Sequence, residues 1–334
     1  MIAGSMMTVA GVVFSITILV LSQAAGQYTS RVLRNFMKNK NNQFVLGLFV
    51  GIFIFCLFLL ANLHPTDNLM AALAGFGVAI LEVGFLISFI HSMSTSIQSS
   101  EMILNIKNET IEILEEIYPK TLQESPFVPT IGLSGVVIPT MSTGYIQKIN
   151  RETLLSIAID LGRKIQTKKK NGEFVIDSEL LCIIEGEEPV KPEVIRKVNA
   201  AFSFGAYRTA ENDITLGIQQ LVDIALKGLS LGVNDLMTAQ LAIDYLSSIF
   251  HRLANRRVKH EFQCEGSDCD WLIIESWCFS SLSEMGFIPI IENAHAQPYI
   301  LKKIETDLRK IRLACKEEVR VETIDRLIQK LQKA

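Results

Sequence analysis

Basic residues are not in excess: 32 Lys and Arg stand against 35 Asp and Glu, a formal net charge of -3. Nucleic-acid binding, which ordinarily shows as a basic face, is therefore not indicated. A cysteine framework is missing as well. The six, Cys56, Cys182, Cys264, Cys269, Cys278 and Cys315, are scattered and make no disulfide framework. No P-loop, dinucleotide fingerprint, nucleophile elbow or HExxH occurs, so neither a cofactor nor a catalytic residue is identified, and an enzyme is not supported.

What is present is apolar surplus. Hydrophobic residues make up 49% of the 334, with a mean hydropathy of +0.30, and the surplus sits in the first hundred residues. Stretches 4–23, 44–62 and 69–90 are each long enough to cross the roughly 30 Å hydrocarbon layer. The first carries no basic leader and no cleavage-like context, unlike a signal peptide. Arg31, Arg34, Lys38 and Lys40 follow it, whereas the turn His64-Pro65-Thr66-Asp67 has no Lys or Arg. The positive-inside rule then predicts a multi-pass inner-membrane protein with everything after about Ser92 in the cytoplasm.

Within the first stretch Thr8, Ser15 and Ser22 recur every seven residues. Such a stripe either lets helix backbones pack or lines a water-filled path. Glu82, alone in the third stretch, either faces a cavity or fastens two spans through a hydrogen bond.

The fold class predicted is therefore an α-helical transmembrane bundle over 1–93 with a cytosolic α+β domain. Residues 94–120 read as an amphipathic stalk helix, with Ile103, Ile106, Thr110, Ile113 and Leu114 on one face. Residues 127–188 hold short β-branched stretches, a helix near 152–161 and a tight-turn signal at Asn171-Gly172. Their order loosely resembles the small barrel-sandwich modules of lipoyl carriers, but no lysine occupies a carrier position. Residues 191–334 read as helical. Glu211–Gly228 and Leu236–Arg256 form a hairpin, with Thr209 capping the first helix and Asn234 or Asp235 the second.

A polar cluster of Arg208, Glu211, Asp213, Asp223, Asn234 and Asp235 surrounds that hairpin. Its residues act as a buried ion pair fixing the hairpin, with Asp223 and Arg208 as candidate partners, or as a ligand or ion site. A two-carboxylate metal site finds no supporting His. Cys264 and Cys269, with His260 and Cys278 near, lack the second tight pair of a zinc site.

The run from Arg208 and Thr209 through Glu211, Asp213, Gly217, Ile218, Gln220, Leu221, Val222 and Asp223 to Ser230, Gly232, Asn234 and Asp235 resembles the signature of domain of unknown function family 2254, bacterial predicted membrane proteins. AGSMMTVAGVVFSITILVLS, RVLRNFM, FLISFIH and GYIQKI are similar to the same family. The resemblance implies a membrane protein with a cytosolic domain and brings no activity. Members usually carry further apolar spans ahead of AGSM, so this chain reads as N-terminally truncated. Leu231 and Leu236 stand where the family tends to place prolines, and 260–278 is particular to this chain. Two functions stay open: a homo-oligomeric channel or transporter-like assembly with a regulatory cytosolic domain, or a membrane-anchored scaffold or sensor without a conducting path. The lipid bilayer and further copies of the chain are the expected partners, with any small-molecule or ion ligand unspecified.

Overall fold

A computed structural model describes residues 2–27, scattered positions between 44 and 91, and residues 99–118, 133–256, 261–262 and 271–333. The chain divides into two compact units. One is Met1–Leu104 with Ser230–Asn234; the other is Asn105–Leu229 with Asp235–Ala334.

The first unit holds helix α1, Ile2–Gln27. Here the expected transmembrane bundle is corrected: among the described residues no helix is long and apolar enough to cross a membrane. Helix α1 carries hydroxyl side chains, Thr8, Ser15, Thr17 and Ser22 among them, between its apolar residues. Two of these hydroxyls turn back into their own helix, Thr8 donating to Gly4 O at 3.0 Å and Thr17 to Val13 O at 2.8 Å. Over 44–62 and 69–90 the residues that are described, 50–55 and 83–90 among them, are helical. Glu82, Cys56 and the basic segment 31–40 lie outside the described residues.

The unit boundary falls within helix α2, Ser99–Ile117. Ile103, Ile106, Thr110, Ile113 and Leu114 are buried while Glu101, Glu112 and Glu116 are exposed, the one-sided pattern its sequence spacing predicts.

The second unit is α+β. Strands β1 (Gly135–Pro139), β2 (Gly144–Ile149), β3 (Ile165–Thr167), β4 (Phe174–Val175) and β5 (Leu180–Glu185) surround helix α3, Arg151–Leu161. Asn150 caps α3 by accepting from Thr153 N, and Gly162, at φ 62, ends it, a left-handed position that glycine takes without steric cost. Helix α4 (Pro192–Ala200) leads into β6, Phe202–Gly205.

These strands do not close into a small barrel-sandwich module. They recruit pairing from farther along the chain, through β7 (Glu261–Phe262) and β8 (Leu272–Glu275), giving one sheet ordered β1-β5-β3-β8-β7 and another ordered β4-β2-β6. Among the described strands only β3 and β8 pair in parallel. Both sheets, α3 and α4 feed one apolar cluster that includes Ile138, Ile146, Leu154, Ile165, Val198 and Leu272.

The helical half follows: α5 (Ile214–Leu229), α6 (Leu236–Leu253), α7 (Phe279–Asn293), α8 (Pro298–Ala314) and α9 (Glu318–Gln332). Helix α5 is buried on most of its circumference and packs against α6 and α7. Helix α6 in turn meets α8, and α9 meets both α7 and α8. Helices α6 and α7 also meet, at Gly286, where a Cβ would come within 2.7 Å of the Phe250 ring.

Candidate functional site

Three local devices build the site. The first fixes the end of α2. A Cβ at Gly217 would overlap Thr110 Oγ1, so the absent side chain lets α2 lie directly on α5. Thr110 is buried and donates to Ile106 O at 2.6 Å. Arg256, also buried, donates to Tyr118 O at 2.8 Å and pairs with Glu115 at 2.9 Å. A cation at a helix C-terminus meets carbonyls that no further turn satisfies. Arg320 does the same for α6, reaching Leu253 O, Ala254 O and Arg256 O at 3.2, 2.9 and 2.7 Å.

The second device starts α5. Thr209 makes no capping bond; it precedes a 3-10 turn, Ala210–Asn212. The buried Asp213 takes the capping role, accepting from Thr215 N at 3.0 Å and from Thr215 Oγ1 at 2.6 Å. Arg208 Nε donates to the other carboxylate oxygen at 2.7 Å, and its Nη2 reaches Thr215 Oγ1. The Asn171-Gly172 turn lies against this pair. Gly172 has φ 85, and a Cβ there would overlap the Asp213 carboxylate.

The third device is a cleft of about 440 Å³ within the second unit. Tyr118 closes one side, the start of α3 another, and Lys170-Asn171 and Trp277 a third. Tyr118 is buried and donates to Trp277 O at 3.1 Å; Trp277 Nε1 donates to Asn171 O at 3.0 Å. Burial pushes the Tyr118 hydroxyl far above the usual phenol range, with the Cys278 thiol adding to the shift, so it remains a donor. Lys170 Nζ sits 4.8 Å from the centre of the Trp277 ring, a cation–π distance. The side-chain oxygen of Asn171 is buried and has no hydrogen-bond partner among the described residues.

Of the cluster expected from sequence, Arg208 and Asp213 come together and the rest disperse. Glu211 is exposed. Asp223 is half-buried and accepts from Gln219 Nε2 at 3.3 Å, while Arg208 pairs with Asp213. Asn234 takes a left-handed φ of 48 in the exposed hairpin loop. Asp235 caps α6 by accepting from Thr238 N at 3.0 Å. Thr8, Ser15 and Ser22 are all exposed. Cys264, Cys269 and His260 lie outside the described residues. Cys182, Cys278 and Cys315 are free thiols, and among the described residues no group of His, Cys, Asp and Glu could hold a metal ion. Tyr118, Asn171 and Trp277 escaped sequence reasoning. Asn171 was legible only as half of a turn signal, and Trp277 as one of just two tryptophans.

Fold and site together define an α+β protein whose second unit carries a polar cleft and, among the described residues, no assembled metal centre. The chain belongs to the family of predicted membrane proteins called DUF2254, whose model matches residues 1–310. It is similar to uncharacterised proteins of Mycobacterium bovis and Mycobacterium tuberculosis, 26% identical over 324 residues, 90% of this chain and 60% of each relative. The chain thus spans about three-fifths of the length of those curated relatives. No solved structure matches it.

Proposed function

We propose that this protein is a membrane-associated sensor or scaffold without a conducting path, in which the first unit meets the lipid and the second unit, on the cytoplasmic side, receives a small ligand. The carrying observation is the cleft, because Tyr118, just past the end of α2, forms one of its walls. Helix α2 starts in the first unit and ends in the second, so a ligand that moved Tyr118 would act on the covalent link between them.

Membership of a predicted membrane-protein family supports the lipid part. So does the first unit's surface, where Phe14, Leu19, Phe44, Phe58, Phe76 and Ile87 are all exposed. Apolar exposure on that scale marks a lipid or protein interaction surface. The free thiols of the second unit suit a reducing compartment. The rival reading, a homo-oligomeric channel or transporter-like assembly, draws on the exposed stripe of Thr8, Ser15 and Ser22.

Reconstitution of the full chain with liposomes separates the two readings. The expected result is protein that floats with the vesicles in a density gradient and ion flux no greater than that of protein-free vesicles. Flux that changes with Ser15→Leu would replace this reading with the conducting one. Protein left at the bottom of the gradient would remove the lipid part.

A further inference from the structure

Resting on the reading of the first unit as the part that meets lipid, we infer that the α5–α6 loop, Ser230–Asn234, is a second membrane contact. It seats Leu231 and Val233, with Met237 of the next helical turn, in the interfacial layer of the bilayer.

The side chains come first. Leu231 is 98% exposed and Met237 74%, with Val233 exposed between them, so packing within the protein accounts for neither Leu231 nor Met237. Single exposed apolar residues are ordinary, whereas a group of them at one turn is a patch of the kind that meets a partner or a lipid surface. The loop's fold does not depend on them. Val233 N and Asn234 N donate to Ser230 O at 3.1 and 2.8 Å, and Asp235 N donates to Gly228 O at 2.8 Å. Asp235 then caps α6 through Thr238. With these backbone groups paired internally, the turn leaves water at a lower cost.

Placement selects lipid as the occupant. Helices α2 and α5 run in opposite directions. Thr110 lies against Gly217, and the later residues Ile117 and Tyr118 meet the earlier residues Asn212 and Ile214 at the cleft. The chain enters the second unit at Asn105, and α5 leaves that unit at Leu229, so entry and exit lie at the same end. At about 1.5 Å per residue, α5 extends about 18 Å from Gly217 to its last residue, against about 8 Å from Thr110 back to Asn105. The loop therefore stands about 10 Å beyond Asn105, on the side from which the chain arrives out of the first unit. Ser230–Asn234 is itself part of that unit, so its apolar tip continues the surface already assigned to lipid.

The test places a tryptophan at the tip. The full chain with Leu231→Trp is reconstituted in phosphatidylcholine vesicles with and without bromine on the upper acyl chain, since interfacial side chains reach about 5–10 Å into the headgroup and acyl boundary. The parent protein, with Trp271 and Trp277, supplies the background emission. Leu313→Trp is the control, because Leu313 is 84% exposed and lies at the other end of the helical half. Helix α8 runs alongside α6 in the same direction, Tyr299 meeting Gln240 and Lys303 meeting Asp244, which puts Leu313 near the end of α6. The added tryptophan at 231 is expected to emit farther to the blue than in water and to lose most of its intensity to brominated lipid, while the one at 313 loses none. No quenching at 231 in protein that floats with the vesicles would overturn the loop contact and leave the lipid reading of the first unit standing. A blue shift at 231 without quenching would overturn lipid in favour of a protein cover such as a second copy. Equal quenching at 231 and 313 would overturn the loop as a distinct contact. Protein that does not float would remove both the loop contact and the reading it rests on.

Discussion

At Gly217 the absence of a side chain is a contact surface, since Thr110 occupies the space a Cβ would take. Gly217→Val should cost about 2 kcal/mol, typical for overpacking a closed site, read as a lower urea midpoint. Thr110→Ala in the same chain should restore part of the loss. A fully stable Gly217→Val variant would mean that α2 and α5 do not touch there. Arg208 and Asp213 make a different kind of test, because both partners are charged and Asp213 is buried. Arg208→Met strands a carboxylate and should cost about 3 kcal/mol, whereas adding Asp213→Asn removes the charge, keeps a capping side chain, and should recover most of it. If the double variant is no better than the single one, the pair is not what holds the turn.

Among the elements, the helical hairpin was the most legible. Ile214, Ile218, Leu221, Val222 and Ala225 recur at helical spacing, and all are buried in α5. Its first turn was not legible. Thr209, Glu211 and Asp213 all suit a helix start, and only the 3-10 turn before Ile214 selects Asp213 as the cap. The start of α6 gives a pH signature. Hydrogen bonds from Thr238 hold the Asp235 carboxyl below the usual carboxylate range. A folded value below the unfolded one stabilises fully above the unfolded value and loses that contribution as pH falls through the folded one. Asp235→Ala should therefore cost about 1 kcal/mol near neutrality, and the gap from the parent protein should close on acidification. A gap that stays constant with pH would mean that the charge of the Asp235 carboxylate contributes nothing to the cap.

For the whole molecule, hydropathy made an apolar N-terminal region legible and misjudged its form. Composition counts apolar residues, but a spanning helix needs length and unbroken apolarity in one element, and no described helix combines them. The sheets were half legible. GYIQKI and SELLCII announce strands, yet β6, which pairs with the first, and β8, which joins the sheet of the second through β3, are four-residue segments farther along the chain, too short for periodicity to register. The cleft was illegible for a related reason, since five separate segments contribute to it. Only the fold brings them together.

The parallel pairing of β3 with β8 has a consequence for synthesis. Ile165 and Gln166 register with Leu272 and Ile273, so β3 leaves the ribosome roughly a hundred residues before its partner, a delay of about 5–20 s at ordinary elongation rates. Over that interval β3 has only β5 beside it, and its second edge is open to any passing strand. The nascent chain is therefore the form of this protein most exposed to aggregation. Slowing translation after residue 185 should lower the soluble yield, and trigger-type chaperones that shield nascent edges should raise it.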